Sequence, residues 1–189
     1  MKVKSYFTQK KLKKEAAKEK LVDFGAGNHI PVCYSQHWIK VKRTYVPKNY
    51  ILGTYTTSPS GMVSQKVIRL YFYLITGEEI FFDMAYEYIS DIDCMIDRCR
   101  KILPNALVLD SRMLLHWTYN KKNRKRMLET VTQHLKDENA WFNYIYQQPE
   151  PFLDLLADEK VNQKDFYKLD DSDLYFSEFP DEAETENEE

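Results

Sequence analysis

The sequence predicts an α+β domain in which an antiparallel β-meander of about four strands precedes three or four helices, with an acidic C-terminal extension. Apolar residues alternate with a period of two between about residues 37 and 83 and recur at helical spacing after residue 86. Net charge turns from positive to negative near residue 150. We therefore divide the 189 residues into a basic helix or arm (1–28), an α+β domain (29–149) and an acidic, partly disordered extension (150–189).

The first segment, residues 8–21, has the composition of a helix and six lysines, but its apolar stripe is thin. Only two leucines and two alanines lie at helical spacing, which predicts a surface helix or a disordered basic arm. The glycine-rich segment 24–28 ends it.

Four strands are predicted next, at residues 37–46, 50–56, 65–75 and 79–83. In the first strand Ile39, Val41 and Tyr45 share one face. The third strand ends in a run that is apolar on both faces, which is typical of a central strand. Turns are expected at residues 47–49, 58–61 and 76–78, where Gly77 can take a positive φ.

The first long helix of the domain should begin at Ser90, since Asp93 stands three residues later in the manner of a capping box. Its predicted apolar face consists of Ile92, Met95, Ile96, Cys99 and Leu103. Pro104 ends the helix, and residues 106–109 are predicted to form a short strand.

Two more helices follow, one capped by Asp110 or Ser111 and a long one that ends near residue 146. The apolar face predicted for the long helix consists of Met127, Val131, Leu135, Phe142 and Ile145.

Candidate catalytic and metal-binding groups have simpler structural interpretations. The acids Asp91, Asp93 and Asp97 suit the first turns of a helix, where carboxylates cap free N–H groups. Cys94 and Cys99 point about 140° apart on a helix, which does not suit one ligand sphere.

The histidines give no clear catalytic signal either. His116 and His134 lie near apolar stripes, where a hydrogen-bonded, buried or boundary histidine is usual, and the spacing of Cys33 and His37 says little about a nucleophile pair. The sequence contains no Walker A, GxSxG, HExxH or EF-hand pattern. We predict no catalytic residue, no metal ligand and no cofactor, and the sequence leans away from an enzyme.

Charge is the stronger signal. Residues 1–149 carry 24 Lys/Arg and 14 Asp/Glu, a net charge of +10, whereas residues 150–189 carry 3 Lys and 15 Asp/Glu, a net charge of −12. Such a division suggests a nucleic-acid or charged partner for the basic part and an interaction tail for the acidic part.

Basic residues form clusters in three segments. The first, Lys10, Lys11, Lys13 and Lys14, belongs to the predicted N-terminal helix. The candidate residues for binding nucleic acid or another charged partner are Lys40, Lys42, Arg43, Lys121, Lys122, Arg124, Lys125 and Arg126. Lys48 and several aromatic residues lie beside them. An ordinary solvated, lysine-rich surface is the alternative interpretation.

The acidic extension has three interpretations. It is a solvating segment, or it binds the basic groove of a partner, or it covers the chain's own basic surface. In the second case the partner-binding residues are Asp173, Tyr175, Phe176 and Phe179.

These observations favour a non-enzymatic regulatory or inhibitory protein, encoded by a phage or other mobile element, that acts on nucleic-acid machinery through a charged surface. Its partner is then a protein of nucleic-acid metabolism or nucleic acid itself. One alternative is direct DNA or RNA binding through the basic segments. Another is a metal-dependent nuclease whose acids, such as Asp83, Glu87 and Asp110, are brought together by folding.

A cytoplasmic location is expected. Three cysteines are an odd, sparse number, and no apolar run approaches the roughly 18 residues of a membrane span. The N-terminus also lacks the apolar stretch of a signal peptide.

Overall fold

In the computed structural model, the described residues are 5–25, 32–57, 66–108 and 121–147, with the side chains of 121–123 excepted. The chain divides into two units, 1–154 and 155–189, and all the described residues belong to the first. Four of the predicted features lie outside the described residues. They are the turn at 58–61, the helix capped by Asp110 or Ser111, His116 and the acidic extension.

The α+β class is confirmed. The helices are α1 (Gln9–Ala16), α2 (Ile89–Ile102), α3 (Lys121–His134) and α4 (Glu138–Tyr146). The strands are β1 (Val22–Asp23), β2 (Val32–Tyr34), β3 (Trp38–Val41), β4 (Thr44–Pro47), β5 (Ile51–Thr57), β6 (Val67–Leu74), β7 (Glu79–Ala85) and β8 (Leu107–Val108). A short 3-10 helix, Lys48–Tyr50, joins β4 to β5.

The strands form two sheets. The first is an antiparallel meander in the order β1-β2-β3-β4, and the second has the order β7-β6-β5-β8. Strands β5, β6 and β7 are antiparallel, while β8 pairs with β5 in parallel. Strand β6 is central and buries Phe72, Tyr73 and Leu74, as predicted for a segment that is apolar on both faces.

Aromatic contacts link the parts of this body. Phe24, just after β1, meets Phe82 of β7 with ring centroids 5.9 Å apart. Tyr50 of the 3-10 helix meets Trp141 of α4 at 5.1 Å. Both pairs are edge-to-face and nearly or fully buried, so they tie the small sheet and α4 to the main core.

The predicted strand 37–46 is wrong, because the chain reverses within it. Lys42 has a φ of 57°, and β3 pairs with β4 in a hairpin in which Ile39 opposes Val46. Lys40 opposes Tyr45, so Tyr45 lies on the same face as Lys40 and not with Ile39. A two-residue turn without glycine hides this reversal in the sequence.

The predicted long helix ending near residue 146 is also wrong in detail. Helix α3 ends at His134, and Asp137 begins α4 by accepting a hydrogen bond from the backbone N–H of Ala140 at 2.9 Å. The new cap resets the helical phase, so Trp141 is buried and Phe142 is 41% exposed.

The start of α2 differs as well. The helix begins at Ile89, and the carboxylate of Asp91 accepts hydrogen bonds from the backbone N–H groups of Glu87 and Tyr88, both at 2.9 Å. Asp91, rather than Ser90 with Asp93, therefore caps the helix. These hydrogen bonds hold the pKa of Asp91 below its ordinary value.

Candidate functional site

Helix α1 is fixed against the β3–β4 hairpin by a side-chain amide that bonds to the backbone of β4 as a neighbouring strand would. The amide of Gln9 donates to the carbonyl of Tyr45 at 3.2 Å, and its oxygen accepts from the Tyr45 N–H at 3.0 Å. Leu12 and Ala16, four residues apart on one helix face, have no exposed surface. The helix is therefore an integral part of the body and not a disordered arm.

The lysines of α1 divide between two sides of the helix. Lys11 forms an ion pair with Glu138 of α4 and lies 4.5 Å from the centroid of the Phe7 ring. Lys10, Lys13 and Lys14 are exposed and form no ion pair with another described residue. Because Gln9 faces β4 and Lys11 faces α4, these three lysines lie on the outer and hairpin-facing sides of α1.

The hairpin adds three more cations to the same region. Lys42 and Arg43 form its exposed tip, and the Lys40 ammonium lies 5.8 Å from the centroid of the Tyr45 ring. We call the combined surface the basic face; it consists of Lys10, Lys13, Lys14, Lys40, Lys42 and Arg43. The hydrogen bonds between Gln9 and Tyr45 thus place the helix with the first basic segment beside the hairpin with the second.

The third basic segment belongs to a different place. Arg124 of α3 packs over the β6–β7 turn at Gly77 and lies 3.4 Å from the carboxylate of Glu79. Lys125 is 3.8 Å from Glu129 in its own helix, and Arg126 is exposed. This segment is partly neutralised by acids of the chain. The other predicted binding residues lie outside the described part of the chain. These are the side chains of Lys121 and Lys122 and the tail residues Asp173, Tyr175, Phe176 and Phe179.

A polar cluster that the sequence did not reveal lies between α1 and β3. Glu19 accepts a hydrogen bond from the backbone N–H of His37 at 3.0 Å, and its other oxygen lies 2.7 Å from Nδ1 of the same residue. Burial raises the pKa of Glu19, but the hydrogen bonds it accepts outweigh that effect, and the pKa lies below its ordinary value. Glu19 is therefore the residue that orients His37.

Replacing Glu19 with glutamine should lower the free energy of unfolding at pH 7 by about 1–2 kcal/mol, since a charge-assisted hydrogen bond is weakened. The folded-state pKa of Glu19 is lowered, so its contribution is fully present above the unfolded value near 4.3 and is lost as the pH falls through the folded value. Urea unfolding of both proteins between pH 7 and pH 3 measures the difference. A difference that stays constant down to pH 3 would contradict this account.

Of the three acids considered for a nuclease, one is paired with an arginine, Glu87 is exposed, and one lies outside the described residues. Asp83 receives two hydrogen bonds from Arg69, at 2.6 and 3.1 Å, across the β6–β7 pair. Asp110 lies outside the described residues. Within the described ranges, no group of three His, Cys, Asp or Glu residues is arranged to hold a metal ion.

The remaining candidates are also placed by the structure. Cys94 is exposed and Cys99 is buried, and burial raises the pKa of the Cys99 thiol to about 12. His134, predicted to be buried or at the boundary of the core, is exposed, with Nδ1 2.9 Å from the carbonyl of Thr130. It lies on the outer side of α3 because Val131 and Leu135 occupy the inner side.

The fold and the surface thus define an α+β protein with a basic face and a partly buried carboxylate–histidine pair. Comparison with protein-family models, curated proteins and solved structures finds no significant match. No helix within the described ranges combines the length and the apolar character that crossing a bilayer requires.

Proposed function

We propose that the chain is a non-enzymatic interaction protein that presents its basic face to the phosphate backbone of a nucleic acid. The observation that carries the proposal is the pair of hydrogen bonds between Gln9 and Tyr45, at 3.2 and 3.0 Å. They hold α1 beside the hairpin, and from this we infer that the two basic segments, about thirty residues apart in the sequence, act as one surface.

Six cations on one surface suit a polyanion better than a single acidic side chain. Each Lys or Arg that neutralises a phosphate releases counterions, which makes affinity fall steeply as salt rises. Tyr45, next to Lys40, also supplies an aromatic ring on which an unpaired base can stack. These features favour a single-stranded nucleic acid as the partner.

The test is a triple variant, Lys13→Ala, Lys40→Ala and Arg43→Ala, that removes charge from both segments. Affinity for a single-stranded oligonucleotide at low salt should fall about 10- to 100-fold, and the slope of log affinity against log salt should fall by about two. Fluorescence anisotropy over a salt series measures both.

A matched control removes three cations elsewhere: Lys18→Ala, Arg100→Ala and Lys125→Ala. Each of these residues pairs with an acid one turn away in its own helical region, at 2.6, 2.8 and 3.8 Å. The control has the same net charge as the test variant and should keep nearly full affinity. Equal losses in the two variants, or no binding at low salt, would refute the proposal.

A regulatory or inhibitory role on nucleic-acid machinery, and an origin in a phage or mobile element, remain proposals that rest on composition and charge. In that setting, the acidic extension contacts a basic partner or competes with nucleic acid for the basic face. The same anisotropy assay on a variant with Arg124, Lys125 and Arg126 changed to alanine tests direct binding through α3 instead.

A further inference from the structure

A cavity of about 360 Å³ lies on the side of the molecule where the β2–β3 loop, the 3-10 helix and the ends of α2 and α4 meet. Its volume falls in the range of small-molecule sites, roughly 300–1,000 Å³. Polar and charged side chains form much of its lining, among them Gln36, His37, Lys48, Lys101, Asn105 and Tyr146. None of them belongs to the basic face.

The charged side chains among the described lining residues have one sign. Lys48 and Lys101 line the cavity together with His37, and none of the described lining residues is acidic. Two acids lie behind the lining: Glu15 contacts the hydroxyl of Tyr146, and Glu19 contacts Nδ1 of His37, so Nε2 is the ring nitrogen left for a ligand. A concave site with three potential cations and no carboxylate among its described lining residues favours an anionic ligand.

Lys48 has an unusual position for a lysine. Its ammonium lies 5.4 Å from the centroid of the Tyr34 ring and forms no ion pair with a described residue. Burial lowers the pKa of Lys48, and Glu19 offsets that effect only in part. A partly buried ammonium without a contacting carboxylate opposes folding, and a bound anion would compensate for it.

Tyr146 closes the cavity with an aromatic surface. Its ring packs edge-on against His37, with centroids 5.1 Å apart, and its hydroxyl lies 3.3 Å from Glu15. Amide side chains of Gln36 and Asn105 lie around the same space. Such groups recognise the planar, polar part of a ligand while the cations hold its charge.

We propose that this cavity is a binding site for a phosphate monoester, with Lys48, Lys101 and His37 at the phosphate and Tyr146 beside the organic part. A dianionic phosphate matches the charges better than a monovalent carboxylate does. The phosphate belongs either to a free nucleotide or to the 5′ end of a nucleic acid. The site does not depend on the basic face.

The test measures binding of adenosine monophosphate to the full-length protein by calorimetry, with Lys48→Met as the variant. Affinity should fall about tenfold or more in this variant, as expected for the loss of one charge-assisted hydrogen bond. Its melting temperature should stay equal or rise, because an uncompensated ammonium is removed. The loss of binding is then not a loss of folding.

Two controls make the result specific. Lys136→Met removes the same charge from an exposed position outside the cavity, and the Lys13, Lys40 and Arg43 triple variant removes three of the six cations of the basic face; both should bind adenosine monophosphate as the native protein does. A 5′-phosphorylated tetranucleotide, compared with its unphosphorylated form, distinguishes a nucleic-acid end from a free nucleotide. Absence of saturable binding by either phosphorylated probe at millimolar concentration, or equal affinity in Lys48→Met, would overturn the proposal.

Discussion

Replacing Leu12 with alanine is expected to lower the free energy of unfolding of the whole body by about 3 kcal/mol. Leu12 has no exposed surface, although it lies in a helix with two lysines on each side of it. Truncating a fully buried leucine removes apolar contacts and leaves a cavity that the surroundings fill only in part. Urea unfolding followed by circular dichroism and by tryptophan fluorescence measures the change.

The two signals should report one shared transition, because α1 packs on the body and does not fold separately. Lys14→Ala is the matched control on the exposed side of the same helix, and it should change stability by less than about 0.5 kcal/mol. A small effect of Leu12→Ala, similar to that of Lys14→Ala, would show that residues 1–28 form a peripheral arm, which is the boundary that the sequence suggests.

Asn49→Asp is expected to have an effect of similar size, about 2–4 kcal/mol at pH 7. The amide nitrogen of Asn49 lies 2.9, 3.2 and 2.5 Å from the carbonyl oxygens of Tyr144, Ile145 and Gln147. Its two N–H groups are thereby shared among free carbonyl groups at the end of α4. An isosteric carboxylate would place a negative charge against three acceptors and supply no donor.

Asn49→Ala is the control that separates repulsion from the simple loss of a donor, and it should cost only about 1–2 kcal/mol. The new carboxyl group should have a folded-state pKa above the unfolded value near 3.9. Its penalty therefore grows as the pH rises through that value and disappears at lower pH, where the neutral acid can donate. Thermal unfolding of both variants at pH 7 and pH 3 tests this; equal stability of the two at pH 7 would contradict it.

Much of the main sheet could be predicted from local patterns. Strands β5, β6 and β7, the turn at Gly77 with its φ of 76°, and the buried face of α2 follow from periodicity and turn chemistry that a few neighbouring residues carry. The short strands β1 and β2 were not predicted. They are two and three residues long, too short for a period to be seen.

The candidate sites were less accessible to sequence reasoning. The basic segments could be recognised from the composition of the sequence. The contact between the two elements that carry them depends on Gln9, whose partner Tyr45 is 36 residues away. No sequence pattern indicated the pair of Glu19 and His37, since a carboxylate 18 residues from a histidine is common in any charged chain. Tyr146 reaches the same region from the end of α4, 131 residues after Glu15.

The sequence by itself determined the α+β class, the order of the main elements and the division into a basic and an acidic part. These properties depend on the period of apolar residues and on composition, which are read over a few residues at a time. Only the tertiary structure decided that α1 packs on the body, that it lies beside the hairpin with the second basic segment and that Lys48 lies beside His37 in a cavity. Such contacts depend on how distant segments pack, because burial and electrostatics act through space and not along the chain.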